Sequence, residues 1–448
     1  MRPTTELVRI WTEALVPVCN NSKSHASQEL KWLLQHAQHQ SNLLLREQSR
    51  RSTTARHAVA GAGLSEKEIE LMQGYVDERV KARKPLQYIL GTQPFMDLDI
   101  LTRPPTLIPR WETEEWTARL ATALKSNPLI FRQQEQSTSP STVTTTPQFN
   151  ILDICTGSGC IPLGLASALP PGSTRLFGAD IHPKAVQLAR DNAVHNRALL
   201  NQNLVSFHQA DLLGPDAVDQ FLSWLEDERS SGGANSSSSG GKEGKGQSQR
   251  YNLIISNPPY IAHSEYETLE PEVAQWEDPK ALLADQEGLV FYPRIAHMAM
   301  ELLHRQPAAS QSSSSSSSSP ESSSSIPATE GQNSKHRMRE LDPRTLERMD
   351  TLDHDEQQYH NNSSNSNSYQ DNNRQTQEDE EEVEVDDVER TWRNGPELDR
   401  VKIPELVFEI GGDHQVDFVS AAIRQAGFRR VQVWKDLADR ARCIVGAR

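Results

Sequence analysis

Phe149-Asn150-Ile151-Leu152-Asp153-Ile154 runs directly into Cys155-Thr156-Gly157-Ser158-Gly159-Cys160-Ile161-Pro162-Leu163-Gly164-Leu165-Ala166. The first six residues form a short apolar run, the pattern of a buried strand. The next twelve are a small-residue loop opening an apolar helix. Its glycines permit a tight turn and close approach of a ligand to the backbone. A Gly-x-Gly after one strand also fits a dinucleotide site. The residues that follow narrow the choice. Thr174-Arg175-Leu176-Phe177-Gly178-Ala179 reads as a second strand ending in Asp180, an acid able to hold two ribose hydroxyls. Ile181-His182-Pro183-Lys184-Ala185 then starts a helix, with Pro183 tolerated in the first turn. Leu204-Val205-Ser206-Phe207-His208-Gln209-Ala210 reads as a third strand, ending in Asp211-Leu212. An acid there can accept from an adenine amino group, or simply cap a helix.

A fourth apolar run, Tyr251-Asn252-Leu253-Ile254-Ile255-Ser256, stops at Asn257-Pro258-Pro259-Tyr260. Proline has no N–H and restricts the residue before it, so the ladder cannot continue. The chain turns stiffly at the carboxyl end of a strand, where open α/β sheets place ligands. The turn offers unclaimed carbonyl oxygens, an amide side chain and an aromatic face. Those groups suit a planar acceptor bearing an NH2 group, either an exocyclic base amine or a carboxamide. Glycine loop, ribose acid, adenine acid and Asn-Pro-Pro-Tyr, each at the end of a strand, indicate S-adenosylmethionine rather than a nicotinamide.

With these motifs the chain resembles the HemK/PrmC family of protein-(glutamine-N5) methyltransferases, which modify peptide chain release factors. The likeness extends to Arg83-Lys84-Pro85-Leu86-Gln87-Tyr88-Ile89-Leu90-Gly91, Pro94-Phe95, and Leu107-Ile108-Pro109-Arg110-Trp111-Glu112-Thr113-Glu114, which is similar to the family's Pro-Arg-x-Glu-Thr-Glu signature. It continues through Glu277-Asp278-Pro279-Lys280-Ala281-Leu282, Gly288-Leu289, Leu406-Val407-Phe408-Glu409-Ile410-Gly411, and Asp436-Leu437 through Arg442. Cys155 and Asp439 stand where relatives often carry glycine; a small thiol is expected to fit at little cost.

The resemblance implies an α/β fold, a Rossmann-like S-adenosylmethionine-dependent methyltransferase with a mostly parallel seven-stranded sheet. A small helical domain precedes the sheet and long disordered inserts interrupt it. It implies an N-terminal helical substrate-docking domain over 1–82, a linker hairpin and signature over 83–126, a flexible insert over 127–147 and the methyltransferase domain over 148–448. The acceptor it implies is the glutamine of a Gly-Gly-Gln loop in a class I release factor, with no nucleic acid required; the residues alone say only amine or amide. An exocyclic adenine or guanine amine of a nucleic acid is the alternative. Asn257, Pro258 and Tyr260 are the expected catalytic residues, with Pro259, Arg110 and Glu112 also on the substrate side. For Arg110 and Glu112, pinning of the pocket wall is expected over direct contact. Thr156, Gly157, Ser158 and Gly159 are expected at the methionyl end of S-adenosylmethionine, Asp180 at the ribose, and Asp211 and Leu212 at the adenine. Asn257 also faces the cofactor. Asp153 is read either as ordering the loop or as meeting the cofactor's amino group.

Composition sets the organisation. Residues 230–249 are rich in Gly and Ser, and 305–400 hold serine tracts, a polar Asn/Ser/Gln stretch and an acidic run from Glu378 to Glu389. Such sequences cannot bury enough apolar surface to offset their ordering entropy. Residues 305–400 carry 21 acids and 10 bases, so −11 of the net charge of −15 belongs to this insert. The remainder is near neutral, which argues against a nucleic-acid substrate. Cys19, Cys155, Cys160 and Cys443 show no paired metal spacing, and imply a reducing compartment. No stretch is long and apolar enough to span a membrane.

Helical spacing of Leu30, Leu33, Leu34 and Ala37 predicts a helix over 26–38. Leu64-Ser65-Glu66-Lys67-Glu68 resembles a capping box, followed by Ile69, Met72, Val76 and Val80 on one face. Arg46, Arg50, Arg51 and Arg56 are read as a loose loop or part of a targeting segment. Residues 1–18 carry Glu6 and Glu13 beside Arg2 and Arg9, a poor transit-peptide composition. A mitochondrial location is what the resemblance implies, because eukaryotic family members with this N-terminal domain resemble the organellar enzyme, whereas the cytosolic counterparts lack it; the cytoplasm is the alternative.

Overall fold

The computed structural model describes residues 4–51, 64–127, 130–131, 149–231, 250–303 and 403–448. The expected inserts lie almost wholly outside the described residues, as does Arg56. Their edges are trimmed, because Ile130 and Phe131 pack on the core and helix α8 (Ala217–Ser231) runs past residue 230.

Three helices open the chain: α1 (Thr4–Leu15), α2 (Lys23–Arg51) and α3 (Glu66–Lys81). Trp11, Leu15, Leu30, Leu33, Ala37, Met72 and Val76 form their shared core. Ser65 caps α3 reciprocally: its hydroxyl accepts from the Glu68 N–H at 3.3 Å, and its own N–H donates to Glu68 Oε2 at 2.7 Å. The helix expected over 26–38 is one part of α2, which continues through Arg46, Arg50 and Arg51. Those arginines are therefore helical up to residue 51, which corrects the loop alternative and leaves the targeting alternative untested; Leu, Arg and Gln are good helix formers and sustain the helix.

A short helix α4 (Leu86–Leu90) leads into an antiparallel hairpin of β1 (Thr92–Phe95) and β2 (Leu98–Leu101), followed by α5 (Trp111–Lys125). Then come β3 (Phe149–Ile154), α6 (Cys160–Ala168), β4 (Thr174–Asp180), α7 (Pro183–His195), β5 (Leu204–Gln209), α8 and β6 (Leu253–Ser256). Past them lie α9 (Phe291–Leu302), β7 (Leu406–Glu409), α10 (Val416–Ala426), β8 (Arg430–Lys435) and β9 (Ala441–Ala447). The sheet order is β5-β4-β3-β6-β7-β9-β8. β3 to β7 run parallel, and β9 is antiparallel to both β7 and β8. This is the expected seven-stranded, mostly parallel sheet.

Alternation divides the buried side chains between two layers. Phe149 and Ile151 of β3 join α5 and α6 on one face, whereas Leu152 and Ile154 join α8 and α9 on the other. All six residues of β3 are buried, as expected of a central parallel strand. The chain reverses its direction of winding between β3 and β6. In such sheets ligands bind outside the carboxyl ends at this switch point. Ile154 pairs with Ser256 in register, so the glycine loop and Asn257-Pro258-Pro259-Tyr260 leave neighbouring strand ends side by side.

Candidate active site

The glycine loop is built from left-handed backbone. Cys155, Gly157 and Gly159 have φ of 65°, 56° and 80°. At Gly159 a Cβ would lie 2.8 Å from the Phe207 ring and 3.0 Å from Ala189, so the loop needs glycine for both its φ and its packing. Cys155 revises one expectation. Its cost is backbone strain at positive φ, on the order of 1 kcal/mol, rather than volume. Asp439, with φ 61°, shows the same strain.

Asp180 ties this loop to β4. Its Oδ2 accepts from the Gly157 N–H at 2.9 Å and its Oδ1 from the His182 N–H at 2.8 Å. Burial pushes its carboxyl above the usual range, opposed by those two N–H bonds. Asp211 is exposed and forms its own turn, accepting from the Leu213 N–H at 2.9 Å. It does not cap a helix, since α8 begins at Ala217.

A cavity of about 350 Å³ joins these elements, within the range of small-molecule sites. Gly157, Asp180, Asp211, Leu212, Asn257 and Pro259 all line it. Asn257 is half-buried, and among the described residues its side-chain amide has no hydrogen-bond partner. An amide with free valence therefore opens into the cavity that the glycine loop bounds. Ser256 Oγ donates to the Ile154 carbonyl at 2.7 Å and pins the strand end just before it.

Other expected site residues lie outside that lining. Pro258 is buried and Tyr260 half-buried behind Asn257. Burial raises the Tyr260 hydroxyl well above the ordinary tyrosine value, so it stays protonated at neutral pH. Thr156 and Ser158 turn inward, each 3 % exposed. Arg110 pairs with Glu277 at 2.6 Å and borders a second crevice with Glu29, Arg79 and Glu272. Glu112 sits 3.4 Å from Arg442 and 3.9 Å from Arg440. Both residues thus brace neighbouring segments.

Asp153 is fully buried on the α5–α6 side of the sheet, away from the cavity lining. Burial raises its carboxyl to about 8, against a smaller opposing pull from the Thr156 hydroxyl beside it. Neither carboxylate oxygen has a hydrogen-bond partner of good geometry among the described residues. Asp153 is therefore protonated at neutral pH. An acid held above its unfolded value of 3.8 takes up a proton on folding. Its contribution to stability is present below the unfolded value and declines as pH rises toward the folded one, by at most about 1.4 kcal/mol per pH unit. Asp153→Asn keeps the shape and removes the titration. Denaturant unfolding between about pH 5 and about pH 8 is expected to show a flatter decline for this variant than for wild type. Equal slopes would place the titrating group elsewhere.

The residues that sequence reasoning missed cover the cavity. His182 and Ala185 come from the start of α7, and Asp278, Lys280 and Leu283 from the segment after Asn-Pro-Pro-Tyr. That segment is tied down: the Asp278 N–H donates to the Pro105 carbonyl at 2.8 Å, and the Ile261 N–H to the Leu282 carbonyl at 2.9 Å. The run Glu277-Asp278-Pro279-Lys280-Ala281-Leu282 was the available signal.

These residues fit S-adenosylmethionine. A carboxylate at the end of β4 matches a ribose, a turn at Asp211-Leu212 matches an adenine edge, and a glycine loop admits the methionyl end. Among the described residues no group of three or more His, Cys, Asp or Glu could hold a metal ion.

No family model matches the chain. A release factor glutamine methyltransferase of Geobacter sulfurreducens is 32 % identical over 241 residues, covering 54 % of this chain and 64 % of that protein. One from Fusobacterium nucleatum is 34 % identical over 225 residues, covering 50 % of this chain and 48 % of that protein. A probable MRF1 mitochondrial N(5)-glutamine methyltransferase of Schizosaccharomyces pombe is 30 % identical over 232 residues, covering 51 % of this chain and 60 % of that protein. The chain thus matches between about half and just under two thirds of the length of these relatives. The resemblance read from the sequence motifs is borne out by them.

Proposed function

We propose that this chain transfers a methyl group from S-adenosylmethionine to the side-chain amide nitrogen of the glutamine in the Gly-Gly-Gln loop of a class I peptide chain release factor. The observation that carries this reading is Asn257 on the lining of the cavity bounded by Gly157 and Asp180, its side-chain amide without a hydrogen-bond partner among the described residues. The names of the relatives support the acceptor class. A mitochondrial release factor is the proposed partner, on the strength of the yeast relative's name.

A carboxamide nitrogen shares its lone pair with its carbonyl and attacks poorly. Asn257 Oδ1 and the Pro258 carbonyl accept the two N–H groups of the acceptor amide. Two acceptors on one NH2 fix its orientation and push electron density toward nitrogen. S-adenosylmethionine, when bound, supplies the electrophilic methyl. Positioning of this kind is worth roughly 7–11 kcal/mol of barrier, and electrostatic stabilisation adds to it. No strong base is required, because the amide proton becomes acidic as the C–S bond to the methyl breaks and would pass to solvent as S-adenosylhomocysteine is released; the protonated Tyr260 stacks on the amide plane instead. Asp180 holds the ribose, Asp211 and Leu212 the adenine, and the backbone from Thr156 to Gly159 the methionyl end. Arg110 and Glu112 hold the pocket wall through Glu277 and Arg442.

Incubation with labelled S-adenosylmethionine, a mitochondrial release factor and RNA tests the acceptor class. Label is expected in the release factor alone. Label confined to RNA would overturn the proposal in favour of a flipped-base amine acceptor.

A further inference from the structure

We infer that Gln415 is a positioning residue for methyl transfer: its side-chain amide supplies the strand rung that the prolines of Asn257-Pro258-Pro259-Tyr260 remove. The inference rests on the function proposed above. Between β6 and β7 the register runs Ile254 with Leu406, Ile255 with Val407 and Ser256 with Phe408, and then ends. Beyond it, Pro258 and Pro259 have no N–H to offer. The Tyr260 carbonyl and the Gly411 N–H lie on the two diverging chains. Gln415 spans the gap. Its Nε2 donates to the Tyr260 carbonyl at 3.0 Å, and its Oε1 accepts from the Gly411 N–H at 2.8 Å. The residue is 1 % exposed.

The neighbours fix which way this amide points. A flipped amide would set donor against donor at Gly411 and acceptor against acceptor at Tyr260. Gly288 encloses the same carbonyl from another side. Its φ is +80°, and a Cβ there would stand 2.0 Å from the Tyr260 oxygen. The Tyr260 ring packs on Gly411, where a Cβ would lie 3.0 Å from the ring. The corner is therefore clamped at both ends, at Ser256 by the β3 carbonyl and at Tyr260 by Gln415. Asn257, with no hydrogen bond of its own among the described residues, takes its aim from the backbone between those clamps.

The test uses Gln415→Ala and Gln415→Glu in the full chain, with a release factor as acceptor. For Gln415→Ala, kcat is expected to fall about 100-fold, the cost of a misplacement near 1 Å. The Kd for S-adenosylmethionine and the KM for the release factor should stay within about threefold, because the clamp acts on geometry rather than on binding. Gln415→Glu gives a readout that a merely structural role does not move. Its protonated carboxyl carries one donor and one acceptor, as the amide does. Its ionised form carries acceptors only and repels the Tyr260 carbonyl. Turnover of Gln415→Glu should approach wild type near about pH 6 and fall about 100-fold by about pH 9, relative to wild type. The ionisable groups nearby are Asp413 and His414 of its own turn, Tyr292 on α9, Tyr260, Glu409 on β7 and Arg442 on β9. All are common to both proteins, so the difference isolates position 415. Wild-type kcat in Gln415→Ala, or parallel pH profiles for Gln415→Glu and wild type, would overturn the role. Loss of cofactor binding by both variants at every pH would also do so, by making Gln415 a folding residue. A wild-type chain that leaves the release factor unmethylated overturns function and role together; active wild type beside equally active variants overturns the role alone.

Discussion

Asn257→Ala is expected to lower kcat by about 10²–10³-fold, the usual effect of deleting one preorganised group that acts on developing charge. The expectation follows from placement. Asn257 lines the cavity, its amide has no hydrogen-bond partner among the described residues, and it is held at the carboxyl end of β6. On the proposed mechanism, deleting the side chain removes one of two acceptors for the substrate NH2, so the nitrogen rotates freely and keeps its lone pair in conjugation. The strand beneath is untouched, because Ser256 and not Asn257 makes the bond to β3. The variant should therefore fold and bind S-adenosylmethionine with nearly unchanged affinity. Calorimetry for the cofactor and steady-state kinetics for the acceptor separate the two effects. A variant that turns over at the wild-type rate would remove Asn257 from the chemistry.

Asp180→Ala acts on the other half of the cavity. The Kd for S-adenosylmethionine is expected to rise about 100-fold, since hydrogen bonds to a charged group are each worth about 1.5–3 kcal/mol. Two effects combine. On the proposed assignment the ribose loses its carboxylate, and the Gly157 N–H loses the Oδ2 that it bonds at 2.9 Å. The loop, already left-handed at three positions, then has less to hold it. Calorimetric titration checks this directly. An unchanged Kd would mean that the carboxylate serves the loop and His182 alone, and that the ribose is held elsewhere.

The parts of this site that were legible in the sequence are those written in apolar runs and breaker residues. Apolar runs marked β3, β4, β5 and β6, and their shortness and the Gly, Pro and Asp residues that end them, rather than any alternation, mark them as strands. Proline and glycine marked the two turns at the switch point. The signals that failed are of another kind. Cys155 and Asp439 adopt positive φ with ordinary side chains, and no composition reports a dihedral angle. α2 runs to Arg51 although its second half reads as a polar patch, because exposed helix positions need only propensity and not an apolar face. Thr156 and Ser158 stand in the glycine loop yet turn inward, since in so tight a loop the backbone faces the cavity at Gly157. Gln415 carries no local pattern at all. Its role arises from a tertiary contact 155 residues distant from Tyr260 in sequence.

The most direct measurement of the central claim is peptide mapping by tandem mass spectrometry of a release factor treated with this chain and isotopically labelled S-adenosylmethionine. A single labelled methyl on the side-chain amide nitrogen of the Gly-Gly-Gln glutamine, absent when Asn257→Ala replaces wild type, is the predicted result. A methyl on any other atom, or on that nitrogen with undiminished yield from Asn257→Ala, would contradict it.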